Sequence, residues 1–201
     1  MKKLNLLQVK NQLSLLNLTT FKVQDLSVIF QVSQRAAQAF LVYNTKKGAF
    51  IRLKAGLYAQ KDHLPSEFTL ANLLYYPSYI SLDSALSYYQ LIPETIYSII
   101  SVTSKSTREF KINHLTYNYH RIKKSAFTGF VPTTIFNQIA YIAVKEKAVA
   151  DFLYFIYLKK RSYNDRLKIN NLDLKKLKNY LKLFSQPQLI SFSNNLLKQK
   201  L

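Results

Sequence analysis

Two side chains able to read a base edge stand close together, Arg35 and Gln38, with Gln34 beside them. The guanidinium fork of Arg35 matches guanine in the major groove, and the carboxamide of Gln38 matches adenine. Lys46, Lys47, Arg52 and Lys54 follow within twenty residues. Flexible cations of this kind suit phosphate oxygens, which position a protein on a duplex without reading its sequence. Ser33, just ahead of Gln34, can cap a helix through its hydroxyl. The same residues also suit the solvated face of a small helical unit, or a related fold that binds protein instead of DNA.

Other chemistries have weaker footing. Glu109-Phe110-Lys111 is an acid-x-Lys tripeptide in an extended segment, and with Asp83 upstream it resembles the metal-binding core of many nucleases. Alternation along a strand also makes Glu109 and Lys111 ordinary salt-bridged neighbours. The histidines, His63, His114 and His120, form no close-spaced pair, and there is no cysteine to complete a metal site. Three glycines are too few for a nucleophile elbow or a phosphate-cradling loop. The expectation is a protein with no catalytic residues, metal or cofactor. The aromatic run Tyr75-Tyr76-Pro77-Ser78-Tyr79, with Tyr88-Tyr89, suits core packing or the stacking of unpaired bases.

The elements that must position these groups can be read from periodicity. Leu4, Leu7, Leu13 and Leu16 predict a first helix, and Thr19 and Thr20 are candidate caps for a second over about 22–30. Val32 plugs a corner. A third helix over about 34–44 turns Ala37, Phe40 and Leu41 inward and Gln34, Arg35 and Gln38 outward. Gln31 stands where such corners often have glycine, so it must accept an unusual backbone angle. Gly48 stops the helix, and Phe50–Lys54 and Leu57–Gln60 form a basic hairpin around Ala55-Gly56. Helix, helix, corner, helix and hairpin outline a winged helix-turn-helix over residues 1–62.

Residues 66–201 read as a larger mixed α/β domain closing in helices. Strands are expected over 97–123, 126–131 and 139–144, and helices over 67–74, 82–89, 146–158, 174–184 and 188–200. Lys147 and Asp151 are four apart on a helix and can pair. Leu174, Leu177, Leu181 and Phe184 mark the inner face of a basic amphipathic helix. The fold class is α+β.

Charge narrows the partners. The chain has 201 residues and a net charge of +19. Residues 1–63 carry 10 basic and 2 acidic side chains, residues 64–130 carry 6 and 4, and residues 131–201 carry 13 and 4. The two ends are therefore basic and the middle nearly neutral. Such a field favours polyanions, nucleic acid first. The leucine-rich start is interrupted by Asn5, Gln8, Lys10, Asn11 and Gln12, which argues against a signal peptide. No apolar stretch is long enough for a membrane span. The expectation is a cytoplasmic protein without a membrane partner.

In order and motif the chain resembles the AbiEi-like antitoxins of bacterial type IV toxin–antitoxin systems, which act in abortive infection and phage defence. The resemblance lies in Lys54-Ala55-Gly56-Leu57-Tyr58 at the hairpin, in PSYISLDSALSYYQLIPE at 77–94, in the strand pair SIISVTSKSTREFKI, and in IAVKEKAVADFLYF at 142–155. It covers about residues 15–160. It implies an α/β antitoxin domain after the DNA-binding module, and a transcriptional autorepressor that binds repeats in the double-stranded DNA of its own promoter. It also implies that the protein counteracts an AbiEii-like nucleotidyltransferase toxin, which in the type IV scheme need not require contact with that toxin. The family's basic surface would fall on Lys105, Arg108, Lys111, Arg121, Lys123 and Lys124. Two alternatives stand beside this reading. One is a winged-helix regulator with a sensing or oligomerisation domain. The other is a metal-dependent nuclease on Asp83, Glu109 and Lys111.

Overall fold

The computed structural model describes residues 4–95 and 97–198. The chain divides into two compact units, Met1–Ser66 and Glu67–Leu201. It is a mixed α+β protein.

The first unit begins with α1 (Leu6–Leu15). Asn5 caps it, its side-chain oxygen accepting the backbone N–H groups of Leu7 at 2.9 Å and Gln8 at 3.3 Å. Val9 and Leu13 are buried and Leu4 packs against the core, whereas Leu7 and Leu16 are exposed, so half of the expected leucine face turns inward. In a leucine-rich segment several faces share helical spacing, and tertiary packing selects among them. Thr20–Lys22 is a strand, β1, and not a cap. It pairs antiparallel with β3, Thr20 opposite Ala59 and Lys22 opposite Leu57. The strand forms because Phe21 must reach the core, where its ring meets Phe50 edge-on at 5.5 Å. Burying a phenyl side chain contributes about 1.5–3 kcal/mol, more than a hydroxyl cap could.

The following helix, α2 (Val23–Phe30), starts at Lys22, whose N–H is accepted by the Asp25 carboxylate at 2.7 Å. Helix α3 (Gln34–Lys46) and strands β2 (Phe50–Lys54) and β3 (Leu57–Gln60) complete the unit. The sheet order is β1-β3-β2. As the central strand, β3 is buried along its whole length. Val9, Leu13, Phe21, Leu26, Ala37, Leu41, Phe50 and Tyr58 make one core drawn from every helix and strand of the unit.

The second unit is a six-stranded mixed sheet with helices on both faces. Its strands are β4 (Ser78–Ile80), β5 (Ser98–Thr103), β6 (Arg108–Ile112), β7 (Leu115–Arg121), β8 (Phe130–Ile135) and β9 (Gln138–Ala143). They lie in the order β6-β7-β5-β4-β9-β8. The strand expected over 126–131 is displaced: Lys124–Ala126 is a 3-10 turn, and pairing begins at Phe130 opposite Ala143. Helix α4 (Glu67–Leu74) covers one face, where the Tyr119 hydroxyl donates to the Ala71 carbonyl at 2.6 Å. Tyr79 lies opposite Val102, and Val102 beside His120, so these three face the other way. That second face carries α5 (Leu82–Tyr88) and α6 (Lys145–Tyr157). Helices α7 (Leu174–Lys182) and α8 (Pro187–Lys198) follow. On α7, Leu177 and Leu181 are buried with Phe184 after it, but Leu174 is 48% exposed at the first turn.

The Lys147–Asp151 pair forms, and it lies in the core. Both side chains have no exposed surface. The Asp151 carboxylate also accepts the hydroxyls of Ser81 at 2.7 Å and Tyr79 at 3.0 Å. The Lys147 ammonium stands 4.8 Å from the Phe184 ring centre. Burial pushes the Asp151 carboxyl upward, while Lys147, Ser81 and Tyr79 hold it down. Burial, then the Asp151 charge, raises the Tyr79 phenol well above its ordinary value, so Tyr79 stays a proton donor. Gly129 has φ +77°, and a Cβ there would come within 2.6 Å of the Tyr180 ring and 3.0 Å of the Lys147 stem. Among the described residues, no helix is long and apolar enough to cross a membrane.

Candidate nucleic-acid interface

In the first unit the site is built by the α2–α3 corner. Gln31 is left-handed, with φ 52° and ψ 47°. This turns the chain so that Val32 packs on the core and the Ser27 hydroxyl donates to the Val32 carbonyl at 2.7 Å. Ser33 then caps α3, its hydroxyl oxygen accepting the Ala36 N–H at 3.2 Å. A hydroxyl in that role still has its own proton to give. A left-handed residue other than glycine costs about 1–2 kcal/mol, partly offset by the greater unfolded-state entropy of glycine. Gln31→Gly is therefore expected to stabilise the unit by about 0.5–1 kcal/mol in urea unfolding.

Helix α3 turns Ala37, Leu41 and Asn44 inward. Gln34, Arg35 and Gln38 are exposed on its N-terminal turns. The Gln38 amide donates to the Tyr58 hydroxyl at 3.3 Å. Tyr58 is 2% exposed, so the hairpin fixes the direction of a side chain on the helix. The helix ends in a Schellman motif: Ala49 N–H to the Asn44 carbonyl at 2.9 Å and Gly48 N–H to that of Thr45 at 3.0 Å, with Gly48 at φ 77°. Lys46, Lys47 and Arg52 are exposed and Lys54 is half-buried. The structure thus brings all eight sequence-predicted residues into one small unit, most of them at its surface. The role of Tyr58 was not readable beforehand, because its link to Gln38 spans 20 residues and depends on how the hairpin folds back.

In the second unit, Lys105, Arg108, Lys111, Arg121, Lys123 and Lys124 are all exposed. They do not form one patch. Lys111 pairs with Glu109 at 3.6 Å, one residue out of phase with Arg108 on β6 and hence on the opposite sheet face. Lys105, Arg108, Arg121 and Lys123 collect at one end of the sheet.

Asp83 and Glu109 have separate partners. The carboxylate of Asp83 is held by Arg161, whose other nitrogen lies 3.4 Å from Nε2 of His120. These groups adjoin a cleft of about 480 Å³ lined by Asp83, Glu94, Phe152, Arg161, Asn164 and Arg166 among others. Among the described residues, no three His, Asp or Glu side chains are grouped to hold a metal ion. Burial, and secondarily Lys160, lowers the His120 imidazole. An imidazole lowered on folding binds fewer protons than in the unfolded chain, so stability rises with pH through that window and is lost on acidification. The melting temperature is expected to fall as pH drops below about 6.5, with His120→Gln flattening that decline. No protein-family model matches this chain, and no curated protein matches it either.

Proposed function

We propose that the Met1–Ser66 unit is a winged helix-turn-helix that binds double-stranded DNA, with α3 in the major groove and the β2–β3 hairpin as the wing. In this reading Arg35 and Gln38 meet base edges, and Ser33, Gln34, Lys46, Lys47, Arg52 and Lys54 meet the backbone. The observation that carries it is the Gln31-Val32-Ser33 corner. It presents the exposed N-terminal turns of α3 while the adjoining hairpin, through Tyr58, orients Gln38. The balance of 10 basic to 2 acidic residues over 1–63 supports the same partner.

The whole chain is then an antitoxin and transcriptional autorepressor that counteracts an AbiEii-like nucleotidyltransferase toxin, without cofactor, metal or catalytic residue of its own. The motif order along about residues 15–160 supports that role. The test is co-expression with an AbiEii-like nucleotidyltransferase toxin, together with a reporter driven by the chain's own upstream DNA. Restored growth and a silenced reporter are expected. A silenced reporter without rescue would leave a winged-helix regulator that senses or oligomerises through its second unit. An active reporter would remove the repressor role.

A further inference from the structure

The middle of the chain is nearly neutral by sequence window, yet its charge is sorted in space. Of the four carboxylates in 64–130, Glu67, Asp83 and Glu94 precede β5, and only Glu109 lies within the strands. Four cations gather at one end of β5–β7, while Lys111 stands apart on the opposite face. Thr103 lies opposite Arg121, the Ile122 N–H bonds the Thr103 carbonyl at 3.0 Å, and the Arg121 N–H is accepted by the Thr107 hydroxyl at 3.3 Å. Lys105, Arg108, Arg121 and Lys123 therefore stand around one corner, and Glu109 faces away from Arg108.

Aromatic rings lie among these cations. The Arg108 guanidinium stands over both Tyr75, at 5.7 Å, and Phe110, at 5.6 Å. The Lys105 ammonium lies 5.8 Å from the Tyr75 ring centre and donates to the Tyr76 carbonyl at 2.7 Å. Tyr76 itself is 72% exposed, a large ring left in water on the residue whose carbonyl holds Lys105. Tyr79, from the same run, is fully buried, so the run divides into a core half and a surface half. A folded core does not require the Tyr76 ring or the convergence of these cations.

We infer that this corner, Tyr76 and the Arg108–Tyr75–Phe110 stack ringed by Lys105, Arg121 and Lys123, binds single-stranded nucleic acid, with unpaired bases stacking on the rings and phosphates meeting the cations. Duplex DNA offers the phosphates but keeps its base faces covered, so the exposed Tyr76 ring, beside the half-buried Tyr75 and Phe110, selects single strands. This inference does not rest on the operator reading, because it concerns other residues and another ligand form.

The experiment uses the full chain and fluorescence anisotropy with a labelled twelve-nucleotide strand, as RNA and as DNA, against a duplex carrying the chain's own upstream sequence. Tyr76→Ala and Arg108→Ala are each expected to weaken single-strand binding about tenfold, and Tyr76→Phe, which keeps the ring, to retain it. Both alanine variants should leave duplex binding unchanged, while Arg35→Ala should do the reverse. Tighter binding of the RNA strand would assign a contact to the 2′-hydroxyl. Equal binding of RNA and DNA would assign backbone and stacking alone. Unchanged single-strand affinity in both alanine variants, loss in Tyr76→Phe equal to that in Tyr76→Ala, or a matching loss in Arg35→Ala would overturn the inference.

Discussion

Asp151→Ala is expected to destabilise the second unit by about 3–5 kcal/mol, enough to unfold much of it, because it strands the Lys147 ammonium in the core. That ammonium has no exposed surface, and its charged partner is Asp151, four residues on. Removing the carboxylate also leaves the Tyr79 and Ser81 hydroxyls without their acceptor. Lys147→Met should cost less, since the remaining carboxylate keeps two hydroxyl donors and burial already raises its pKa toward the neutral form. The double replacement Lys147→Met with Asp151→Leu should recover most of the loss, because an ion pair exchanged for apolar side chains of similar size is often neutral or stabilising. Urea unfolding of the three variants checks this ordering. A loss below about 1 kcal/mol for Asp151→Ala would mean that water reaches the pair. Duplex binding by the first unit should survive in Asp151→Ala, since its core is built from residues 4–58.

Arg35→Ala is expected to reduce preference for the chain's own upstream DNA by about 5- to 150-fold, the range of 1–3 kcal/mol for one bidentate base contact. Affinity for random duplex should change far less, because that part comes from phosphates. Arg52→Ala should show the opposite pattern, an even loss on every sequence and a shallower salt dependence by about one unit. The asymmetry follows from position. Arg35 lies on the second residue of α3, whereas Arg52 lies on a strand of the hairpin. Equal losses on upstream and random DNA in Arg35→Ala would place its guanidinium on phosphate.

Much of the first unit was legible because each of its parts has a local cause. Ser33 caps by its own hydroxyl, Gly48 permits the Schellman turn, and the hairpin strands run as expected from Phe50 to Lys54 and Leu57 to Gln60. Strand β1 was not legible. It is three residues long, and it exists because β3 offers a partner and the core a place for Phe21. The outward leucines of α1 and α7 mislead for a related reason. Spacing shows that a face exists, but neighbouring elements decide which leucines it includes, and Leu7 and Leu174 lie outside it.

In the second unit, an i,i+4 Lys–Asp spacing reads the same whether it is solvated or buried. Only the packing of β4, carrying Tyr79 and followed by Ser81, makes the Lys147–Asp151 pair a core feature. The gathering of Lys105, Arg108, Arg121 and Lys123 escaped window averaging because strand pairing, not chain order, sets it. Glu109 and Lys111, two apart on one strand, form the expected surface pair.

Competition binding shows whether the first unit reads duplex DNA. The purified chain is titrated onto a labelled duplex from its own upstream region, with the same duplex scrambled as competitor, across a series of salt concentrations. A preference for the upstream sequence of about a thousandfold or more is expected, with a linear fall of log affinity with log salt. Arg35→Ala is expected to shrink that preference while the salt slope persists. Equal affinity for the two duplexes, or a preference that Arg35→Ala leaves intact, would contradict duplex reading by the first unit.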